Sequence, residues 1–296
     1  MGDVGNLSVR FHGVRGSTPC EGPRFERFGG HTSCVELTTP GEEPLVLDLG
    51  TGVKSFGEQL VSEGSCNGGY HANVLLTHLH WDHVQGLPFF EPLFSGGQGL
   101  DIYGPVQPEG HLEEVFSRFM GPPFFPITIQ ELAAAVTFHD TTDDDFAIGG
   151  AKVRSRGVRH NGPTLGFRIE QSGCVVAYIP DHGPGCSPDD ADDYIPTAVL
   201  ELCDGADVVI HDAQYTRGEF ETRRTWGHCT VDYAVHVAAE AGARTLALFH
   251  HDPYHDDPTV DTLLRYTQDL REAGRLSDIL AASEGTALEL TRETVA

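Results

Sequence analysis

The sequence predicts an α/β fold. Short apolar segments with the composition of strands alternate along the chain with segments that have helical spacing. Hydrophobic residues make up 39% of the 296 residues, which is enough to bury a sizeable core. We find no internal repeat or linker that would divide the sequence, so we expect one domain over residues 1–296.

The predicted strands are short runs rich in Val, Leu, Ile and aromatic residues. In chain order they are 7–12, 34–38, 45–48, 73–77, 100–103, 136–139, 152–158, 165–170, 174–179, 207–211 and 244–249. Between them, apolar residues at helical spacing predict helices at 54–63, 110–120, 196–204, 230–241 and 259–273. In the last helix, Pro258 is a plausible start and Gly274 a plausible stop.

Two stretches are predicted to be irregular. The segment 86–135 is rich in Gly, Pro and Phe, and we interpret it as an inserted cap or loop region over a site. Its apolar wall would suit stacking on a base or another ring. The acidic run at 140–150 is predicted to be a solvated turn before the next strand.

Composition excludes several classes of function. The formal charge of −25 disfavours binding of long RNA or DNA, although a small anion remains compatible with it. We see no apolar run long enough to cross a membrane and no signal peptide, so a cytoplasmic location is expected. The seven scattered cysteines include no C-x-x-C pair and are expected to be reduced thiols.

The segment 77–83 reads THLHWDH and directly follows an apolar strand. In an extended segment residues i and i+2 point to the same side, so His78 and His80 are expected to point together. Asp82 and His83 follow as the chain turns toward a helix. One loop therefore offers ligands for two metal ions, and imidazole with carboxylate suits zinc, iron or manganese.

The string T-H-x-H-x-D-H-x-x-G at 77–86 resembles the metallo-β-lactamase superfamily. This resemblance implies an αββα sandwich with a dinuclear metal site at one edge. Later motifs follow in the family's order: His160 in VRHNGPTLGF, Asp181 in AYIPDHG and His250 in LALFHHDP. His251 is the alternative to His250 as the last ligand.

The resemblance implies a partition of the ligands and a cofactor. One metal ion would be bound by His78, His80 and His160, the other by Asp82, His83 and His250, with Asp181 shared. The cofactor is expected to be two divalent ions, with zinc preferred and manganese or iron as alternatives. A hydroxide that bridges the two ions would attack the substrate.

Two further stretches resemble motifs of the ribonuclease Z branch: VIHDAQY at 209–215 and WGHCT at 226–230. By this resemblance Asp212 and His228 form a carboxylate–histidine pair that acts as general acid, and with Asp82 they complete the predicted catalytic set. Thr230 would open a helix whose amides favour phosphate oxygens. The alternative is a capped helix with an incidental histidine.

The surroundings of His160 favour phosphodiester chemistry, because they differ from the TPGHT context of the lactonase and glyoxalase branches. Between His160 and Asp181 there is room only for a hairpin, not for the tRNA-binding arm of ribonuclease Z. In the glycine-rich opening of the chain, Arg15, Arg24 and Arg27 would contact a phosphate, unless this segment is only a surface loop.

The sequence thus predicts an enzyme, a metal-dependent phosphodiesterase acting on a small cyclic nucleotide or other cyclic phosphate. The alternatives are a hydrolase of a carbon ester, thioester or lactam, an RNA 3′-processing nuclease, and a non-hydrolytic metal-binding or oxygen-reducing protein. The expected partner is a small phosphodiester substrate, with neither long nucleic acid nor a membrane. A homodimer remains open, since related phosphodiesterases often dimerise.

Overall fold

The protein is described by a computed structural model over residues 6–66, 69–184, 193–271 and 276–292. Two mixed β-sheets face each other, and helices cover the outer face of each. This is the predicted αββα sandwich, so the predicted fold is confirmed. Within these ranges no helix has the length and apolar character needed to cross a bilayer.

The first sheet contains strands from both ends of the chain. Its members are β1 (Asn6–Gly13), β2 (Cys34–Thr38), β3 (Leu45–Leu47), β4 (His71–Leu75), β5 (Gly97–Pro105), β6 (Ala134–Thr141) and β14 (Ala287–Thr291). Their order is β14-β1-β2-β3-β4-β5-β6. Pairing is antiparallel from β14 to β3 and parallel from β3 to β6.

The second sheet repeats this arrangement. It consists of β7 (Asp145–Ile148), β8 (Ala151–Gly157), β9 (Leu165–Gln171), β10 (Cys174–Ile179), β11 (Val208–Asp212), β12 (Thr245–Phe249) and β13 (Asp278–Ala281), in the order β13-β12-β11-β10-β9-β8-β7. Strands β7 to β10 pair antiparallel, and β10 to β13 pair parallel. The parallel strands end at one edge, where side chains from successive loops meet.

Three apolar clusters hold the layers together. The central one fills the space between the sheets and includes Phe11, Tyr178 and Phe249. On the first sheet the outer cluster involves α1 (Gly52–Ser62), the short α2 (Trp81–Val84) and α3 (Leu112–Phe119). On the second it involves α4 (Thr197–Cys203), α6 (Val231–Glu240) and α7 (Asp257–Leu270), while α5 (Arg217–Arg223) is short.

The predicted strands and helices are all present, with ends that differ by a few residues. The end of the helix predicted at 259–273 lies partly outside the described residues. The prediction of a solvated turn at 140–150 was wrong in part, because Asp145–Ile148 form β7 and pair with β8. Strands β13 and β14 and helix α5 were not predicted, because each is short and offers little periodicity. Helix α2 was expected only as a turn toward a helix at Asp82 and His83, without bounds.

The segment 86–135 is more than a cap. Its middle forms β5, which lies between β4 and β6 in the first sheet, and α3, which covers that sheet. Only the stretches on either side consist of turns and short 3₁₀ helices, at Leu87–Phe89, Glu91–Phe94 and Ile129–Glu131. The prediction that the whole of 86–135 is an inserted cap or loop region therefore covers too many residues.

Candidate active site

The predicted metal ligands, which come from four parts of the chain, lie together at one edge of the sandwich. Ligand atoms of His78, His80, His160 and Asp181 lie within 4.8 Å of one another. Those of Asp82, His83, Asp181 and His250 meet the same limit. The loop after β4 supplies the first ligands, and the loops after β8, β10 and β12 supply the others. The structure thus brings together all seven predicted residues, in the predicted two groups.

Asp181 lies between the two groups and turns one carboxylate oxygen to each. Its Oδ2 is 3.6 Å from His78 Nε2 and 3.4 Å from His160 Nε2. Its Oδ1 is 3.0 Å from His83 Nε2 and 3.2 Å from His250 Nε2. Such a carboxylate has the geometry needed to serve two cations at once.

Four of the histidines are oriented by a partner on their outer nitrogen. Nδ1 of His83 lies 2.7 Å from Asp48 Oδ2, and Nδ1 of His250 lies 2.9 Å from Gln214 Oε1. In the same way, Nδ1 of His160 faces the Gly227 carbonyl at 2.7 Å. The fourth, His78, places its Nδ1 at 3.0 Å from the Thr77 hydroxyl oxygen. If each Nδ1–H donates to its acceptor, each Nε2 keeps a lone pair that points into the cluster.

Asp48 is a site residue that the sequence analysis missed. It is fully buried and adopts φ of 60° just after β3. Its carboxylate accepts hydrogen bonds from the Thr77 amide and hydroxyl and from the Tyr178 hydroxyl, besides facing His83. The signal was present in the sequence, because Asp48 ends an apolar strand just as Asp212 does.

Several polar atoms of the cluster lack a partner within the protein, and metal ions could provide one. Among the described residues, His78 Nε2, His83 Nε2 and Asp181 Oδ1 are buried without a hydrogen-bond partner. Buried polar atoms of this kind are costly unless something satisfies them. Burial disfavours the Asp181 carboxylate, but its interactions with His250 and His83 outweigh this effect and hold its pKa well below the usual value. An ionised carboxylate and imidazole lone pairs form a donor set typical of zinc and related divalent ions.

His250, not its neighbour, reaches the cluster. Its Nε2 is 3.1 Å from Asp82 Oδ2, whereas His251 is directed away and bonds the Ala282 carbonyl at 2.9 Å. His250 adopts φ of 58°, and a Cβ at Gly16 would lie 2.3 Å from its ring. The chain therefore bends sharply at His250 and needs a glycine opposite.

The suggestion that three N-terminal arginines contact phosphate is wrong for this structure. Arg15 is fully buried, and its guanidinium donates to backbone carbonyl oxygens. The side chains of Arg24 and Arg27 pair with Asp256 and Asp261, around the start of α7. These arginines hold the N-terminal loop together and against the start of α7 and the residues that precede it.

Asp212 and His228 form a close pair beside the ligand cluster. His228 Nδ1 lies 2.7 Å from Asp212 Oδ2, and both side chains are buried. Burial alone would lower the pKa of His228, but the adjacent Asp212 carboxylate outweighs it and raises that pKa to about 8. The His228 ring stacks 4.9 Å from that of His250. The Asp212 carboxylate thus favours the protonated form of an imidazole that lies next to the predicted ligands.

The surroundings of this pair are well ordered by hydrogen bonds. Asp212 also accepts from the backbone amides of His182 and Gln214. Gly227, which precedes His228, adopts φ of 85°, and a Cβ there would lie 2.5 Å from His160 Nδ1. Thr230 caps α6 through a bond from the Tyr233 amide. Gln214, like Asp48, was not predicted, and its side chain is the link between this region and His250.

A family model described as beta-lactamase superfamily domain matches residues 71–251, which is more than half of the chain. The chain belongs to the beta-lactamase superfamily. The predicted membership and the predicted class, a hydrolase of this superfamily, are therefore confirmed. The membership also implies divalent metal ions, for which the His and Asp cluster supplies candidate ligands.

Similar proteins support this membership. A ribonuclease Z of Natronomonas pharaonis is 26% identical, with 86% of this chain and 90% of the relative covered. The metallo-beta-lactamase fold protein YhfI of Bacillus subtilis has a TM-score of 0.70 at 18% identity, covering 96% and 99% of the two chains. The short form of human tRNase Z has a TM-score of 0.64 at 21% identity, covering 95% and 98%. The two structures support the fold alone.

Proposed function

We propose that the protein is a metal-dependent phosphodiesterase that hydrolyses a small cyclic nucleotide or other cyclic phosphate. The observation that carries this proposal is the Asp212–His228 pair, 2.7 Å apart and adjacent to the ligand cluster. Hydrolysis of a phosphodiester releases a poor leaving group, an alkoxide, which needs a proton. A buried imidazolium next to the metal ligands is suited to supply it.

The seven clustered residues would hold two divalent cations, in the partition that the sequence suggests. Zinc is the expected metal, with manganese or iron as alternatives. When bound, such ions would lower the pKa of the attacking water and neutralise charge on the phosphoryl oxygens. The outer contacts of the histidines to Asp48, Gln214, Thr77 and Gly227 keep the inner nitrogens directed into the cluster, where the ions would bind.

His228 would act as the general acid. Its Nδ1 is bound to Asp212, so Nε2 carries the proton that is transferred to the leaving oxygen as the P–O bond breaks. Asp212 holds the ring in position and stabilises its charge, and the amides of His182 and Gln214 fix the carboxylate in turn. After the transfer, the neutral imidazole regains a proton from solvent.

Two features favour a small substrate. Between His160 and Asp181 the chain forms only the hairpin of β9 and β10, which turns within two residues at Ser172 and Gly173. The formal charge of −25 repels a polyanion. Both features disfavour long RNA.

RNA 3′-processing is the second candidate. Its support is the name of the relatives, since several of the similar proteins are named ribonuclease Z. These matches conflict with the expectation that the protein binds no long nucleic acid. A hydrolase of carbon esters, thioesters or lactams would depend less on proton donation by the Asp212–His228 pair. The leaving groups and intermediates of these reactions differ from those of phosphodiester hydrolysis.

A panel of substrates tests the proposal. The metal-loaded protein is assayed with 3′,5′-cyclic AMP, a precursor tRNA with a 3′ trailer, nitrocefin and a thioester. We expect hydrolysis of the cyclic phosphate, loss of that activity with a chelator, and its return with zinc or manganese. Faster cleavage of the precursor tRNA would favour the second candidate, and activity on nitrocefin or the thioester alone would contradict both.

A further inference from the structure

An aromatic cleft lies beside the candidate active site. Its walls include Trp81, Phe89, Phe119, Phe124 and Phe125, and it encloses about 460 Å³. Three of these rings are largely exposed: Trp81 at 70%, Phe89 at 57% and Phe124 at 75%. Large aromatic side chains are normally buried, so a group of exposed rings around one cavity indicates a binding surface.

One wall residue of the cleft, Trp81, belongs to the chain segment that carries the predicted ligands. Trp81 stands between His80 and Asp82 in the chain, so its backbone is fixed by the same turn that positions both predicted ligands. His80 is exposed, whereas His78, Asp82 and His83 are buried. The cluster is therefore reached from the side of His80, and the next residue in the chain, Trp81, lines the cleft.

The polar groups of the cleft are few. Gln85 and Arg118 join the aromatic residues in its wall, and among the lining residues Arg118 carries the one charge. Arg118 also contacts the Glu109 carbonyl at 3.5 Å. A pocket of roughly 300–1,000 Å³ with apolar walls and a few polar groups is typical of small-molecule sites. An amide and a guanidinium can hydrogen-bond the edge of a heterocycle whose faces lie against aromatic rings.

We propose that this cleft is the nucleobase subsite of the enzyme, with Trp81 and Phe124 as stacking partners of the base. The inference rests on the proposed phosphodiesterase function and narrows its substrate class to nucleoside cyclic phosphates. The sugar and the cyclic phosphate reach from the cleft past His80 to the metal ligands. Cyclic phosphates without a base use the same ligands but leave the cleft empty.

The kinetic test compares two substrates that differ only in the base. These are 3′,5′-cyclic AMP and methyl ribofuranoside 3′,5′-cyclic phosphate. Stacking of one base on an aromatic side chain is worth about 5- to 150-fold in affinity. Trp81→Ala should therefore lower kcat/KM for cyclic AMP about 5- to 150-fold more than for the analogue without base, and Phe124→Ala should shift the ratio in the same direction.

Phe94→Ala is the matched control. Phe94 lies on the same segment and is 46% exposed, but it does not line the cleft, so the ratio should stay at the wild-type value. Equal losses on both substrates in Trp81→Ala would overturn the base subsite and leave the phosphodiesterase function standing. A wild-type protein that hydrolyses neither compound would instead contradict the proposed function.

A fluorescence titration tests the subsite independently of turnover. The chain has two tryptophans, so Trp226→Phe leaves Trp81 as the single tryptophan fluorophore. We expect saturable quenching when adenosine 5′-monophosphate is added to this metal-loaded variant, and none when Trp81→Phe leaves Trp226 alone. No response in Trp226→Phe, or the same response to ribose 5-phosphate, would overturn the inference whether or not the enzyme acts on cyclic nucleotides.

Discussion

The residues of the site are of two kinds: those that would contact the metal ions, and those that orient these ligands. The orienting residues differ in charge: His83 faces the carboxylate of Asp48, whereas His250 faces the neutral amide of Gln214. A carboxylate partner makes an imidazole a stronger ligand than an amide partner does. Within the second group of ligands, His83 is therefore expected to bind its ion more strongly than His250.

The role of Asp48 can be tested by Asp48→Asn. The variant keeps a similar shape but loses the negative charge that faces His83, so metal affinity should fall about 10- to 100-fold. Competition with a chromophoric chelator measures it. Asp101→Asn is the control, because Asp101 contacts His71 and His139, which lie outside the cluster. If both variants bind metal like the wild type, Asp48 does not tune the site.

The proposed proton-donor role of His228 can be tested by changing the leaving group. General acid catalysis supplies about 10²–10⁴-fold for a poor leaving group and little for p-nitrophenolate. His228→Ala should thus greatly slow hydrolysis of a cyclic nucleotide and largely spare bis-p-nitrophenyl phosphate, with metal content unchanged. Asp212→Asn should show the same pattern more weakly. Equal losses on both substrates, with metals retained, would assign His228 to phosphate binding or to structure.

Among the elements, the loop between α5 and α6 has the most demanding geometry. It must bring the Gly227 carbonyl to His160 and His228 to Asp212 within two residues. A left-handed residue without a side chain makes this possible, since a Cβ at Gly227 would meet the His160 ring. The loop thus links His228, the proposed general acid, to the first group of predicted ligands.

Gly227→Ala should consequently damage both stability and metal binding. A non-glycine residue at φ of 85° costs about 1–3 kcal/mol, before any clash with His160 is counted. Urea denaturation and metal analysis of the purified variant measure the two effects. Gly218→Ala in α5 is the control, because a Cβ there meets no atom within 4 Å and alanine favours helix. A Gly227→Ala variant with wild-type metal content would show that the loop tolerates a shift of His160.

At the scale of the whole molecule, metal binding is expected to contribute to stability. The ligands come from loops of both sheets, so ions bound between them link the two layers. Zinc at about 100 times its dissociation constant should stabilise the fold by about 2.7 kcal/mol per site. Thermal unfolding with and without chelator measures this, and metal analysis should give two ions per chain.

Asp181→Ala provides the comparison. Removing the carboxylate between the two groups should lower the metal content and the activity. It should also abolish most of the metal-dependent rise in Tm. One ion per chain in a fully active wild-type preparation, with Asp181 dispensable, would contradict the dinuclear arrangement.

The sequence by itself determined the fold class, most elements and the seven clustered ligand residues. These features are local: strands and helices follow from periodicity, and the THLHWDH loop concentrates ligands within a few residues. The order of the later motifs then pointed to His160, Asp181 and His250. These three residues were identified through the resemblance to the metallo-β-lactamase superfamily, and each follows a strand.

Tertiary structure alone decided which residues support the ligands and which surface adjoins them. Asp48 meets His83 across 35 positions, and Gln214 meets His250 across 36, so no local pattern links the partners. In the same way, Trp81 joins Phe124 in one cleft only because α2 and the turn after α3 lie on the same sheet. The tertiary structure also showed that the N-terminal arginines pair with acidic residues at and near the start of α7. Their partners depend on which acceptors the packing brings close, and the sequence does not show this.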